Sequence, residues 1–301
     1  GMKMRDEDTV TSLFVTNTHT PILFFTSSGM VHQLKCYKLP ESAPQALGKP
    51  MINLLPIEQD EKIHTVMPMP ENEETWQNLQ IIFATKNGNI RRNQLSDFTN
   101  IRQNGKIAMK LNENDELVSV IPCTDKDNVL LATRLGKAIR FDVNDVRVFV
   151  GRGSSGVRGI KLKPNDYVVS MSLIPKSEKR YILSVTENGF GKRTPIEDYR
   201  MTNRGGQGVA NIECSNRNGP VVASYVASED DQIMLVTNSG KLIRIRVHGG
   251  EGDSIRVAGR KTQGVRLFDV DDEEKVVSVA LLTESDEEEN TDENDNEVAT
   301  D

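Results

Sequence analysis

Val129-Leu130-Leu131-Ala132-Thr133-Arg134-Leu135-Gly136-Lys137-Ala138-Ile139-Arg140-Phe141 is one copy of a pattern that recurs along the chain. An apolar run enters a Thr-x-x-Gly core and a second run leaves it, which reads as a β-hairpin closed by a glycine-containing turn. The core stands at Thr26–Gly29, Thr85–Gly88, Thr133–Gly136, Thr186–Gly189 and Thr237–Gly240, with its glycines 59, 48, 53 and 51 residues apart. A period near 50 residues marks a repeat architecture.

Two further parts follow each hairpin in fixed order. A second glycine (Gly48, Gly105, Gly156, Gly208, Gly264) opens another strand, as in Gly105-Lys106-Ile107-Ala108-Met109-Lys110-Leu111. An acidic or polar turn then leads into a last apolar strand, as in Leu117-Val118-Ser119-Val120 and Tyr167-Val168-Val169-Ser170. About four strands per repeat is the signature of a propeller blade. The expected fold is all-β, a propeller-like ring with five complete blades at residues 21–70, 79–124, 127–175, 179–228 and 230–283. Residues 9–16 read as the closing strand of a preceding blade. Residues 284–301 hold ten acids and no base, cannot bury enough to offset ordering entropy, and are expected to form a disordered acidic tail.

The net charge of -7 hides a strong asymmetry. Residues 1–133 carry a net of -3, residues 134–266 a net of +10 and residues 267–301 a net of -14. Such a division suggests a polyanion-binding body with an acidic tail. No run of 18 apolar residues occurs, so no membrane span is expected. Three cysteines, widely spaced and without a CxxC pair, fit reduced thiols in a cytosolic protein.

The remaining motifs carry no bond-making chemistry. Gly151-Arg152-Gly153-Ser154-Ser155-Gly156 matches GxGxxG, but a nucleotide loop needs a helix after it. Here Val157-Arg158-Gly159-Ile160-Lys161-Leu162 follows and alternates like a strand. The four histidines show no metal-ligand spacing, and no GxSxG, HExxH or Walker loop is present. No catalytic residue and no metal site is expected.

Basic residues, by contrast, recur with the repeat. Arg91-Arg92, Lys137 with Arg140, Lys192-Arg193 and Lys241 with Arg244 follow four of the five turns. A second set lies in the glycine-and-arginine loops and the strands they open: Arg102, Lys106, Arg152, Arg158, Arg200, Arg204, Arg260, Lys261 and Arg266. Equivalent positions in repeats lie on one surface, so a rim of charge is expected. Backbone amides freed by small glycines would approach phosphate oxygens closely. With aromatics at 5%, backbone contact to a duplex is favoured over base stacking on single strands.

At this point the chain resembles the C-terminal DNA-wrapping domain of the DNA gyrase A protein. The resemblance covers residues 5–283 and rests on several stretches. They are Leu13-Phe14-Val15-Thr16-Asn17-Thr18-His19-Thr20, Lys49-Pro50-Met51-Ile52-Asn53-Leu54-Leu55-Pro56, Gly105 to Leu111, Gly156-Val157-Arg158-Gly159-Ile160, and Asn188-Gly189-Phe190-Gly191-Lys192-Arg193-Thr194. It implies a six-bladed β-pinwheel whose neighbouring blades exchange strands, with double-stranded DNA bent around a basic outer rim. It implies as partners the rest of gyrase A and the gyrase B protein, in a bacterial, cytoplasmic holoenzyme of two A and two B chains. ATP and Mg would act elsewhere in that enzyme, leaving this chain without cofactor or catalysis, and monomeric when isolated. The alternatives are the corresponding domain of topoisomerase IV and a protein-interaction propeller. The family's Gln-Arg-Arg-Gly-Gly-Arg-Gly heptapeptide is absent, so the chain is expected to begin inside the first blade.

Overall fold

The hairpin turns form as their residues dictate. In all five, the glycine amide donates to the threonine carbonyl three residues back at 3.0–3.1 Å. The glycines take φ of 75–85°, the left-handed region that a side chain disfavours. In four turns the threonine Oγ1 also accepts the amide of the residue after the glycine, at 3.2 Å. Thr-x-x-Gly is thus a turn in which both recurring residue types have separate mechanical tasks: one bends the chain, the other satisfies a main-chain donor.

The computed structural model describes residues 16–42, 48–70, 72–175, 180–249, 254–271 and 273–282. Residues 9–15 of the expected remnant strand and the acidic tail at 284–301 lie outside them. The described residues form five small sheets joined by turns and short 3-10 segments, with no α-helix among them. In the first sheet the hairpin Pro21–Thr26/Met30–Lys35 is flanked by Ile63–Pro68 and Lys106–Ile107. The second pairs Gln80–Thr85 with Asn89–Gln94 and Leu117–Cys123, and adds Val157–Arg158 and Val148–Phe149 on the outer side. The third joins Val168–Ile174, Asn128–Thr133, Lys137–Asp142 and Val209–Ala210. The fourth joins Val221–Ala227, Tyr181–Thr186, Phe190–Pro195 and Val265–Arg266. The fifth holds Val276–Leu282, Gln232–Thr237 and Leu242–Arg246.

The outer strand of each of the first four sheets comes from the following repeat. The strand opened by Gly105 belongs to the sheet of residues 21–68, and those opened by Gly156, Gly208 and Gly264 step back in the same way. A blade is therefore not one continuous stretch such as 79–124. This is the strand exchange of a β-pinwheel. At Gly156 and Gly208 no side chain fits: a Cβ on Gly156 would lie 2.3 Å from the Ile90 carbonyl oxygen, and one on Gly208 the same distance from that of Ala138.

By its contacts the chain divides into two units. Residues 16–178 with 199–211 hold the first three sheets, and residues 179–198 with 212–282 hold the fourth and fifth. Within the first unit, alternate residues of one strand serve two cores. Ile81 and Phe83 join Leu23, Phe25 and Phe98, whereas Ile82 and Ala84 join Val129, Leu131 and Phe141. Sheets covered on both faces read as continuous apolar runs, and Gln80–Thr85 and Asn128–Thr133 are buried throughout. In the second unit Leu183, Val185, Ile233 and Leu235 build a comparable core.

Candidate nucleic-acid interface

The basic residues that follow the second and fourth hairpin turns do not form a surface. Arg91 and Lys192 are fully buried, and Arg92 and Arg193 are 5% and 6% exposed. The correction has a plain cause. In the first four sheets the second hairpin strand is an inner strand once the exchanged strand covers it, and at Arg91, Arg92, Lys192 and Arg193 residues of either parity point into packed protein. Leu242–Arg246 of the fifth sheet has no such cover among the described residues.

These buried cations are matched by acceptors. Arg91 donates through Nη1 to the carbonyls of Arg152 (2.8 Å) and Ser154 (2.7 Å), through Nη2 to Ala108, and through Nε to Asn93 Oδ1 (2.7 Å). Its guanidinium lies 5.0 Å from the centre of the Phe83 ring. Arg92 bonds Gln80 Oε1 and Asp125 Oδ1, both at 2.9 Å. The Lys192 ammonium donates to the carbonyls of Gly259 (2.5 Å) and Arg260 (3.0 Å) and to Thr262 Oγ1 (3.2 Å). Arg193 Nε donates to the Ile255 carbonyl at 2.7 Å. Loss of solvent lowers Arg91 to about 10 and Lys192 to about 8, the second helped by the Arg260 charge.

Lys241 and Arg244 are exposed, but Lys241 is already neutralised. It pairs with Glu274 at 2.8 Å and Asp271 at 3.1 Å. Glu274 also accepts from the hydroxyls of Thr237 and Ser239, and these bonds, that of Lys241 foremost, hold its carboxyl at about 2. Asp166 plays the same part below the third turn, accepting Thr133 Oγ1 at 2.7 Å and the Leu135 amide at 2.9 Å. The acidic turns before the last strands of the third and fifth sheets thus include turn caps. Lys137 and Arg140 are partly buried, and Arg140 donates to the Tyr199 carbonyl at 3.2 Å.

The residues of the glycine-and-arginine loops and of the strands they open behave differently. Arg102, Arg158, Arg200, Lys261 and Arg266 are exposed, and Lys106, Arg152, Arg204 and Arg260 are partly so. Arg102, Lys106, Arg158, Arg200 and Lys261 form no ion pair among the described residues. Arg152 and Arg204 tie successive loops together. Arg152 donates to the Ile107 carbonyl at 3.1 Å, and Arg204 to those of Asp145 (2.8 Å) and Arg158 (3.1 Å). In the second unit Arg266 stacks over Phe190, as does Arg217, at 5.6 and 5.1 Å from the ring centre.

Lys110 and Lys161 are basic positions that the sequence patterns did not single out. Both are exposed and both stand five residues after a second glycine, a regularity that would have found them. The sequence also places Glu213 and Asp269 at that offset in the next two repeats, so the position changes sign along the chain. Among the described residues no group of three or more His, Cys, Asp or Glu side chains could hold a metal ion.

Five sheets built on one hairpin motif, each of the first four completed by the next repeat, with basic loops beside the exchanged strands, define a propeller-type repeat protein of the pinwheel class. The chain belongs to the DNA gyrase C-terminal domain family, described as a β-propeller, whose model matches residues 1–17, 20–68, 80–124, 127–175, 180–220 and 231–283. It is 44% identical over 331 aligned residues to the DNA gyrase A protein of Rickettsia bellii (strain RML369-C), a match covering 95% of this chain and 36% of that protein. The chain therefore spans about a third of the length of such relatives. Among solved structures it is similar to the C-terminal domain of DNA topoisomerase IV, with a TM-score of 0.84 and 28% identity over 94% of this chain and 85% of the other. It is also similar to a DNA gyrase A C-terminal domain, with a TM-score of 0.71 and 25% identity over 93% of each chain.

Proposed function

We propose that this chain binds and bends duplex DNA through the basic loops beside its exchanged strands, without sequence preference, in the service of DNA gyrase. The observation that carries the reading is the recurrence of unneutralised cations in those loops and in the exchanged strands themselves, exposed at Arg102, Arg158, Arg200 and Lys261 and partly so at Lys106. Phosphate contacts of this kind position a duplex but carry no base code. Bending a site of 20–30 base pairs by 40–90° costs on the order of 1–6 kcal/mol, which contacts distributed over successive repeats would offset. The relatives named above are gyrase A proteins by sequence, so the supercoiling enzyme, with its gyrase B partner and bacterial cytoplasm, is the context we infer. No catalytic role or cofactor is assigned to this chain. A fluorescence-anisotropy titration on a duplex of about 40 base pairs tests the reading. Replacing Arg102, Arg158, Arg200 and Lys261 together by glutamine is expected to weaken binding by more than tenfold, whereas unchanged affinity would contradict it.

A further inference from the structure

Two loops are held from beneath by the same two positions of a hairpin strand. In the second sheet these are Arg91 and Asn93; in the fourth they are Lys192 and Thr194. Asn93 Nδ2 donates to the carbonyls of Phe149 (3.2 Å) and Gly151 (2.7 Å), while Arg91 takes those of Arg152 and Ser154. Thr194 Oγ1 donates to the Ala258 carbonyl at 2.7 Å, while Lys192 takes those of Gly259 and Arg260. All four side chains are at least 99% buried. The third sheet has Ile139 and Phe141 at these positions and so has no such grip.

A trans peptide points each N–H away from the C=O that precedes it, and no cis bond occurs among the described residues. Drawing carbonyls inward therefore turns the next amides outward. The amides of Arg152, Gly153 and Ser155 donate to nothing among the described residues, and neither do those of Gly259 and Lys261. Concave sets of outward amides bind anions, and a buried cation beneath adds to the field they present. We propose that Arg91 with Asn93, and Lys192 with Thr194, are positioning residues for DNA binding, which present the amides of each loop to a phosphate oxygen of the duplex. The proposal rests on the DNA-binding reading above and deepens it.

Lys192 supplies a readout that a merely structural role would not move. The charged groups that face it are Arg260 from the loop and Asp198 from the turn after its own strand. Neither an arginine nor an aspartate ordinarily titrates between pH 7 and 9, whereas Lys192 is lowered to about 8. The experiment measures affinity of the full chain for a duplex of about 40 base pairs, from pH 7 to 9.5, for wild type, Lys192→Arg and Lys192→Met. Arg91 shows that a guanidinium can occupy this place in a sheet. Wild-type affinity is expected to fall about tenfold as Lys192 loses its proton, while Lys192→Arg stays within about twofold. Lys192→Met is expected to bind weakly at every pH, with a salt slope shallower by about 1. Should the methionine variant fail to fold, the comparison of wild type with Lys192→Arg decides alone. A Lys192→Arg profile that falls in parallel with wild type overturns the proposal, and so does a folded Lys192→Met with wild-type affinity and slope. A wild-type chain without salt-sensitive duplex binding at pH 7 would instead overturn the DNA-binding reading itself.

Discussion

Nη1 of Arg91 donates to the main-chain carbonyl of Arg152 at 2.8 Å, across 61 residues of sequence. Both arginines belong to basic positions that recur with the repeat, yet one is sealed inside the sheet and the other lies on the loop above it. The same residue type thus holds the structure together at one position and lies at the surface at the other.

Replacing Arg91 by methionine leaves several loop carbonyls without their donor inside packed protein. We expect a loss of about 3 kcal/mol in unfolding free energy by urea titration. Arg158→Ala, at an exposed position, should change stability by no more than about 0.5 kcal/mol while weakening duplex binding. Equal stability of the two variants would contradict the burial assigned to Arg91.

The glycines divide in the same manner. Gly156 has φ +80° and meets the Ile90 carbonyl, whereas Gly153 has open space where a Cβ would go. Gly156→Ala is expected to cost at least about 2 kcal/mol, and Gly153→Ala no more than about 0.5 kcal/mol, in the same urea titration.

Acid should undo the cap of the fifth turn over a defined interval. The Glu274 carboxyl is held at about 2 when folded and would return to the ordinary glutamate range, near 4.3, when unfolded. A depressed carboxyl contributes stability that is present above the unfolded value and is lost as pH falls through the folded one. Thermal midpoints of wild type should exceed those of Glu274→Gln above about pH 4.5 and converge with them toward pH 2. A gap that persists at pH 2 would contradict this.

Removal of the acidic segment from Glu284 onward takes away ten negative charges. If this polyanionic segment competes with DNA for the basic loops, truncation should tighten duplex binding at low salt. Unchanged affinity would assign the segment to solubility alone.

The repeat was legible in the sequence because its information is local. A threonine, two turn residues and a glycine need only their own backbone to form the hairpin at Thr133–Gly136, and the same chemistry recurs four more times. The exchanged strands were not legible in that way. Val157–Arg158 is two residues long, too short for any periodicity, and its partner Asn89–Gln94 lies in the preceding repeat. That exchange also decided the site. Arg91 and Arg92 look like an exposed basic pair until a strand from the next repeat covers their edge. Arg102 and Arg200 were readable because they stand outside the strands, on exposed connections. The Lys241 ion pairs escaped notice because Asp271 and Glu274 lie some thirty residues downstream and meet it only when Val276–Leu282 pairs with Gln232–Thr237.

Duplex affinity measured against salt at pH 7 tests the central claim most directly. If about eight phosphates are neutralised by the basic loops, log K should fall with log salt at a slope of about -7. A slope near zero would contradict DNA binding through those loops.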